Sequence, residues 1–199
     1  MEAALAAAGF DIAHRFDVAA VAGEPGLEAL AGDPLGILIG NTRALWPKFR
    51  AALGSLDPDN PLDDYTARTI EAALPPSARC FYAHRRYAGA FLPFQRLAVA
   101  VGLGSLSPTQ LVIHPTYGPW FALRAVVVCS GSPPATARLP AVCHCQTGCH
   151  DAMTRALTAV GPETWRAWLA VRDACVIGRA WRYDEDQILY HYLKQRSLL

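Results

Sequence analysis

Cysteine and histidine crowd into one short stretch of the chain. Cys143-x-Cys145-x3-Cys149, flanked by His144 and His150, is its densest cluster of ligand-type side chains. Thiolate and imidazole are the ligands of zinc and of iron–sulfur centres. The same thiols can instead do redox chemistry, or pack as small apolar side chains. The spacing is not that of the ferredoxin-like run C-x2-C-x2-C-x3-C, of which only the last interval is present. A second feature is a single cation, Arg124, inside the apolar run Trp120 to Val128. Burying an unpaired charge costs several kcal/mol or more, so an anionic or polar group should meet this guanidinium. A third is the corner His114-Pro115-Thr116-Tyr117-Gly118-Pro119. Each proline fixes its own φ and restricts the residue before it, and Gly118 is free to take a positive φ.

These residues need elements to hold them. The corner joins two apolar runs and reads as a hairpin-like strand-turn-strand from Leu111 to Val128. Residues 35–39 read as a buried strand feeding a helix over 43–53, capped by Asn41 or Thr42. Further helices are expected over 1–9, 62–74, 91–103, 149–160, 163–175 and 184–196, and strands over 12–21 and 78–84. The last helix begins Asp-Glu-Asp and ends with Lys194 and Arg196, a charge order suited to its dipole. Helices gathered at the C-terminal end, after the strands, suggest an α+β layer fold.

At 199 residues, 52% hydrophobic and 18% charged with a net charge of +1, the chain fits one domain and is too apolar for disorder. The near-neutral balance argues against a nucleic-acid partner bound through counterion release. The N-terminus has no basic region ahead of a long apolar core, and no window reaches the roughly 18 apolar residues of a membrane span. A cytoplasmic protein with no membrane partner is the expectation, and there cysteines serve as thiols or ligands more often than as disulfides.

The central segment carries a resemblance. Gly102-Leu103-Gly104-Ser105-Leu106-Ser107-Pro108, followed by Ile113-His114-Pro115-Thr116-Tyr117-Gly118-Pro119-Trp120-Phe121-Ala122-Leu123-Arg124, resembles the core motif of the CblC-type cobalamin-processing proteins. Those proteins decyanate and dealkylate vitamin B12. Related segments occur in epoxyqueuosine reductases and reductive dehalogenases. The resemblance implies a single α+β domain of nitroreductase type, a mixed sheet flanked by helices, with a cavity that takes the corrin in base-off form. Its cobalamin-lining positions fall on Leu92, Pro93, Phe94, Gln95, Gly104, Ser105, Leu106, Ser107, Val112, Ile113, His114 and Leu123. Tyr117 and Trp120 lie close enough to the turn to join them. Its glutathione-binding arginines fall on Arg124, Arg172 and Arg196, and guanidinium forks suit the two carboxylates of that co-substrate. A reduced flavin is the other electron source implied, and whether a homodimer forms stays open. The cysteines Cys143, Cys145 and Cys149 depart from this pattern. A metal site with iron–sulfur or zinc, redox or cobalt-proximal thiols, and a structural role all stay open for them. The alternatives to a dealkylase or decyanase are a non-catalytic cobalamin chaperone, a corrinoid and iron–sulfur reductase, and a plain flavin nitroreductase relative.

Overall fold

A computed structural model of the protein describes residues 1–135, 139–144 and 148–194. Cys145 and Arg196 lie outside the described residues, and so do the expectations placed on them. In chain order the first elements are α1 (Glu2–Ala7), β1 (Ile12–Asp17), β2 (Leu35–Asn41), α2 (Leu45–Ala52), α3 (Pro61–Ala73) and β3 (Arg79–Tyr82). Next come the short strands β4 (Arg86–Tyr87) and β5 (Ala90–Phe91), then α4 (Phe94–Ala100), β6 (Ser105–Leu106) and β7 (Val112–Ile113). The chain continues with β8 (Ala122–Cys129), α5 (Gly148–Thr158), α6 (Thr164–Asp173) and α7 (Glu185–Leu193).

The main sheet has the order β1-β2-β8-β3, and each of its three ladders is antiparallel. Apart from Asn41 and Arg124 its two central strands are apolar or glycine, because both faces are covered. Leu38, Val126 and Val128 point to one side, where Phe16 and Leu97 of α4 pack. Their neighbours Ile37, Ile39, Ala125 and Val127 point to the other, onto Leu45 and Phe49 of α2 and Ile70 of α3. This alternation is the period of two that a strand imposes. A smaller cluster of Trp120, Trp165, Leu169, Tyr183 and Ile188 ties α6 and α7 to the sheet. The expected α+β arrangement, with helices gathered at the C-terminal end, is the one the chain adopts.

Several boundaries move for local reasons. The strand expected over 12–21 stops at Asp17, whose carboxylate accepts a hydrogen bond from Ala19 N at 2.9 Å and starts a 3-10 turn. The helix expected over 91–103 shrinks to α4, because Pro93 sits at its N-cap and Gly102, at φ 76°, ends it. Neither Asn41 nor Thr42 is the N-cap of α2; that position is Ala44, without a side-chain bond. Thr42 supports the turn all the same, its Oγ1 accepting from Ala44 N at 3.3 Å.

The strand-turn-strand is built differently from a hairpin. β7 pairs with β6, whereas β8 pairs with β2 and β3. The two limbs meet only at the corner, where His114 N donates to Gly118 O at 3.0 Å and Gly118 N donates to His114 O at 2.8 Å. Gly118 takes the positive φ expected of it, 58°. There the corner crosses the segment between α6 and α7 at Gly178, which also has a positive φ, 74°. A Cβ on Gly118 would lie 1.9 Å from Ile177 O, and one on Gly178 would lie 2.1 Å from the carbonyl carbon of Tyr117. Only a pair of glycines allows backbones to cross this closely.

Candidate functional site

Arg124 projects from β8 into the region between the sheet and α6 and α7. Its Nε donates to Asn41 Oδ1 at 2.6 Å, and Asn41, fully buried at the end of β2, donates in turn to Thr42 O at 2.8 Å. The Arg124 Nη2 is buried and has no hydrogen-bond partner among the described residues. Burial disfavours its charge and lowers its pKa, against the pull of Tyr183 and Asp63. Residue surface remains where Arg124 lines a depression of about 460 Å³, together with Arg172, Tyr183, His191, Leu111 and Trp168. The polar group that the sequence demanded for this cation is thus half supplied, by Asn41.

The rest of the wall adds positive charge. Arg172, at the end of α6, lies over the Trp120 and Tyr183 rings at 5.6 and 5.8 Å and makes no ion pair among the described residues. Tyr183 is buried with its Oη unpartnered among the described residues, and burial raises its pKa, so it stays protonated and able to donate. His191, on α7, is driven down to about 3 by burial and then by Arg124, Arg172 and Lys194. It is therefore neutral, and two guanidinium groups face a cavity with an idle phenol donor between them. Such a wall binds a carboxylate or another compact anion.

Tyr183, His191 and Tyr192, which line the same depression, were not singled out by sequence, and Asn41 was expected only as a helix cap. Asn41 alone left a trace, as a polar residue closing a strand whose other members are all apolar or glycine. Trp120 was expected near the ligand but is buried, with Arg172 and Arg182 at 5.6 and 5.5 Å from its ring. Trp168, on α6, lines the depression.

The corrin-lining candidates divide in two. Leu92, Pro93, Phe94, Gln95 and Leu106 surround a second depression, of about 620 Å³, which Gln110 and Arg96 also line. It lies on the other side of the β6–β7 hairpin from the first, since Leu106 and Gln110 face one depression and Thr109 and Leu111 the other. The remaining candidates hold the hairpin in place. Val112 and Leu123 pack in the core, and the missing Cβ of Gly104 would lie 2.6 Å from Ile113 O. Ser107 Oγ meets Thr109 Oγ1 at 2.9 Å, and Leu111 N donates to Ser107 Oγ at 3.2 Å. His114 stacks on Tyr117 at 4.3 Å, and its Nδ1 accepts from Thr116 N at 3.0 Å. Ser105 Oγ is buried without a partner among the described residues.

Each depression is of the size that takes a small ligand, and a corrinoid is larger than either. The lining of the second depression sets the apolar Leu92, Phe94 and Leu106 beside the amide side chains of Gln95 and Gln110.

No family model matches the chain, and no curated protein matches it in sequence. The fold does match. A solved structure of the C. elegans B12-trafficking protein CblC, a human MMACHC homologue, superimposes with a TM-score of 0.69 over 98% of this chain and 90% of that one, at 17% identity. This chain has the CblC fold. The nitroreductase-like α+β arrangement implied by the central motif is therefore present, and the likeness extends across the N-terminal residues where the motif has no counterpart. Among the described residues no helix is long and apolar enough to cross a membrane. Also among them, no three His, Cys, Asp or Glu side chains are placed to hold a metal ion.

The CblC-fold site carries a pH signature. His191 is held at about 3, and burial, followed by the charge of His14, holds His114 at about 4. The unfolded chain takes up these protons near pH 6.5 while the folded chain refuses them, so acid favours unfolding. Stability is complete above pH 6.5 and declines as the pH falls toward 4. His191 contributes up to about 1.4 kcal/mol per pH unit. Urea unfolding at a series of pH values checks this, and His191→Gln should flatten the slope.

Proposed function

We propose that this CblC-fold protein binds cobalamin with its lower axial ligand withdrawn and removes the upper ligand with glutathione as co-substrate. The observation that carries the reading is the buried Arg124 Nη2, which has no partner among the described residues and stands with Arg172 and Tyr183 on the wall of one cavity. A tripeptide with two carboxylates and a thiol answers that wall. Cobalamin bound base-off would supply a cobalt easier to reduce and an upper ligand open to attack.

The chain's own groups would do the rest. Arg124 and Arg172 would each grip a carboxylate through the guanidinium fork, and Asn41 would hold the first fork in orientation. The Tyr183 hydroxyl would donate the further hydrogen bond its Oη lacks. Two cations close to a bound thiol favour its thiolate, the reactive form. Neutral His191 adds no third charge, and Leu111, Met153, Val171 and Trp168 limit water. Holding nucleophile and target together supplies much of the rate in such a transfer. Where the upper ligand is cyanide, a reduced flavin is the electron source that the reading allows.

Visible spectra test this directly. Methylcobalamin and cyanocobalamin mixed with the protein should each shift to the base-off spectrum; no shift with either overturns the reading. Glutathione added to the methylcobalamin complex should then remove the methyl group well above the buffer rate. A base-off shift without that step favours a carrier, the role named for the C. elegans protein of this fold.

A further inference from the structure

Three of the cysteines converge on a void beside the positions assigned to the corrin and to glutathione, and neither assignment uses their thiols. Cys143, Cys149 and Cys175 line one void of about 10 Å³, with Ser107, Thr109 and Ile113 on its other walls. A space of that size holds about one water, and the three side chains share its wall without the convergence that would hold a metal ion. Cys149 and Cys175 are buried, and Cys143 is half-buried. They come from separate parts of the chain. Cys143 precedes α5, Cys149 is the second residue of α5, and Cys175 follows the end of α6. The start of α5 lies against the end of α6, for a Cβ built on Gly148 would make an ordinary contact with Ala174 O at 3.9 Å.

We propose that these thiols form a dithiol–disulfide redox site whose substrate is a small-molecule disulfide and whose oxidised form contains a bond to Cys175. Cys143, the most accessible of the three, takes up the reagent. Its thiolate attacks one sulfur of the small disulfide, and one small thiol leaves with the electron pair and a proton. A buried thiolate then attacks the Cys143 sulfur of the mixed disulfide and expels the second small thiol. The sum is two protein thiols oxidised, one small disulfide reduced and no proton or electron left over. Where Cys149 and Cys175 end up joined, one further exchange moves the bond off Cys143. Either product staples the front of α5 to the end of α6. Because Ser107 and Thr109 share the void, the staple lies against the hairpin between the two depressions.

This proposal does not depend on cobalamin or on Arg124, so the two can fail separately. The full chain is equilibrated in glutathione redox buffers, its remaining thiols are tagged with a mass-labelled maleimide, and disulfide-linked peptides are mapped. Two thiols should disappear together, in a peptide pair that contains Cys175 with Cys143 or Cys149. Cys175→Ser should abolish the pair, Cys143→Ser should slow its formation at least tenfold, and Cys80→Ser should leave it unchanged. Linkage confined to residues 143–149, stable glutathionylation of single cysteines, or an unchanged pair in Cys175→Ser overturns the proposal. Should Cys175→Ser not fold, the peptide map of the unaltered chain decides alone.

Discussion

Replacing Gly118 with alanine should lower the melting temperature by roughly 6–12 °C, from a loss of about 3 kcal/mol in a chain of this size. Two costs combine. Holding an L-residue in the left-handed region costs about 1 kcal/mol. The new Cβ would also stand 1.9 Å from Ile177 O, a backbone atom that cannot swing aside as a side-chain tip would. Gly23 separates the two terms. It has a similar positive φ of 86° but nothing within 4 Å of the position its Cβ would take. Gly23→Ala should therefore show the conformational cost alone, near 1 kcal/mol. Equal losses at the two positions, measured by chemical unfolding, would show that the crossing is not tight. Gly178→Ala should match Gly118→Ala, and the double variant should lose less than the sum, since both relieve or violate one contact. The damage should reach the site too, because the crossed segment leads from Arg172 to Tyr183.

That crossing shows where sequence reading succeeds and where it stops. Pro115, Gly118 and Pro119 announce a rigid corner by local chemistry alone, and the corner is there. What the corner packs against is Gly178, sixty residues later in the chain, and nothing local to either glycine names the other. The same division runs through Arg124. Its position in an apolar run required a polar partner, but Asn41 becomes that partner only through the antiparallel register of β2 and β8 and the bulge between Ile39 and Gly40. Asn41 next to a helix start read as a cap by local rules, and a tertiary hydrogen bond claimed it instead. Tyr183 and His191 were illegible for another reason. Tyrosine and histidine near an amphipathic helix are ordinary, and only the shared cavity distinguishes them. The CblC-like motif set out Leu92 to Gln95 and the residues from Gly104 to Ser107 as one binding wall. In the fold some of these face a depression and others serve the packing of the β6–β7 hairpin, a difference of a single residue in register that pattern alone does not resolve.

Replacing Arg124 with methionine should reduce glutathione-dependent demethylation of methylcobalamin on the order of 100-fold while leaving the melting temperature unchanged or higher. The kinetic part follows from losing one charge-assisted carboxylate contact, worth about 1.5–3 kcal/mol. The stability part has the opposite sign to the usual core substitution. Arg124 keeps its Nη2 buried without a partner among the described residues, and the side-chain hydrogen bond it makes there goes to a neutral amide, so removing the charge removes a desolvation cost. Asn41 limits the gain, because its Oδ1 then loses the bond from Nε, which argues for testing Arg124→Met alone and together with Asn41→Leu. Arg124→Lys distinguishes charge from geometry. An ammonium keeps the positive charge but has no fork to hold Asn41 and a carboxylate at once, so it should recover little of the rate. Glutathione titrations of the initial rate, with thermal melts of each variant, supply both readouts. A variant that loses activity and stability together would mean that Arg124 is a structural cation. One that melts as the parent does and keeps full activity would remove the anion-binding wall from the account. Loss of rate at preserved or raised stability is the pattern of a charge kept in the fold for a ligand.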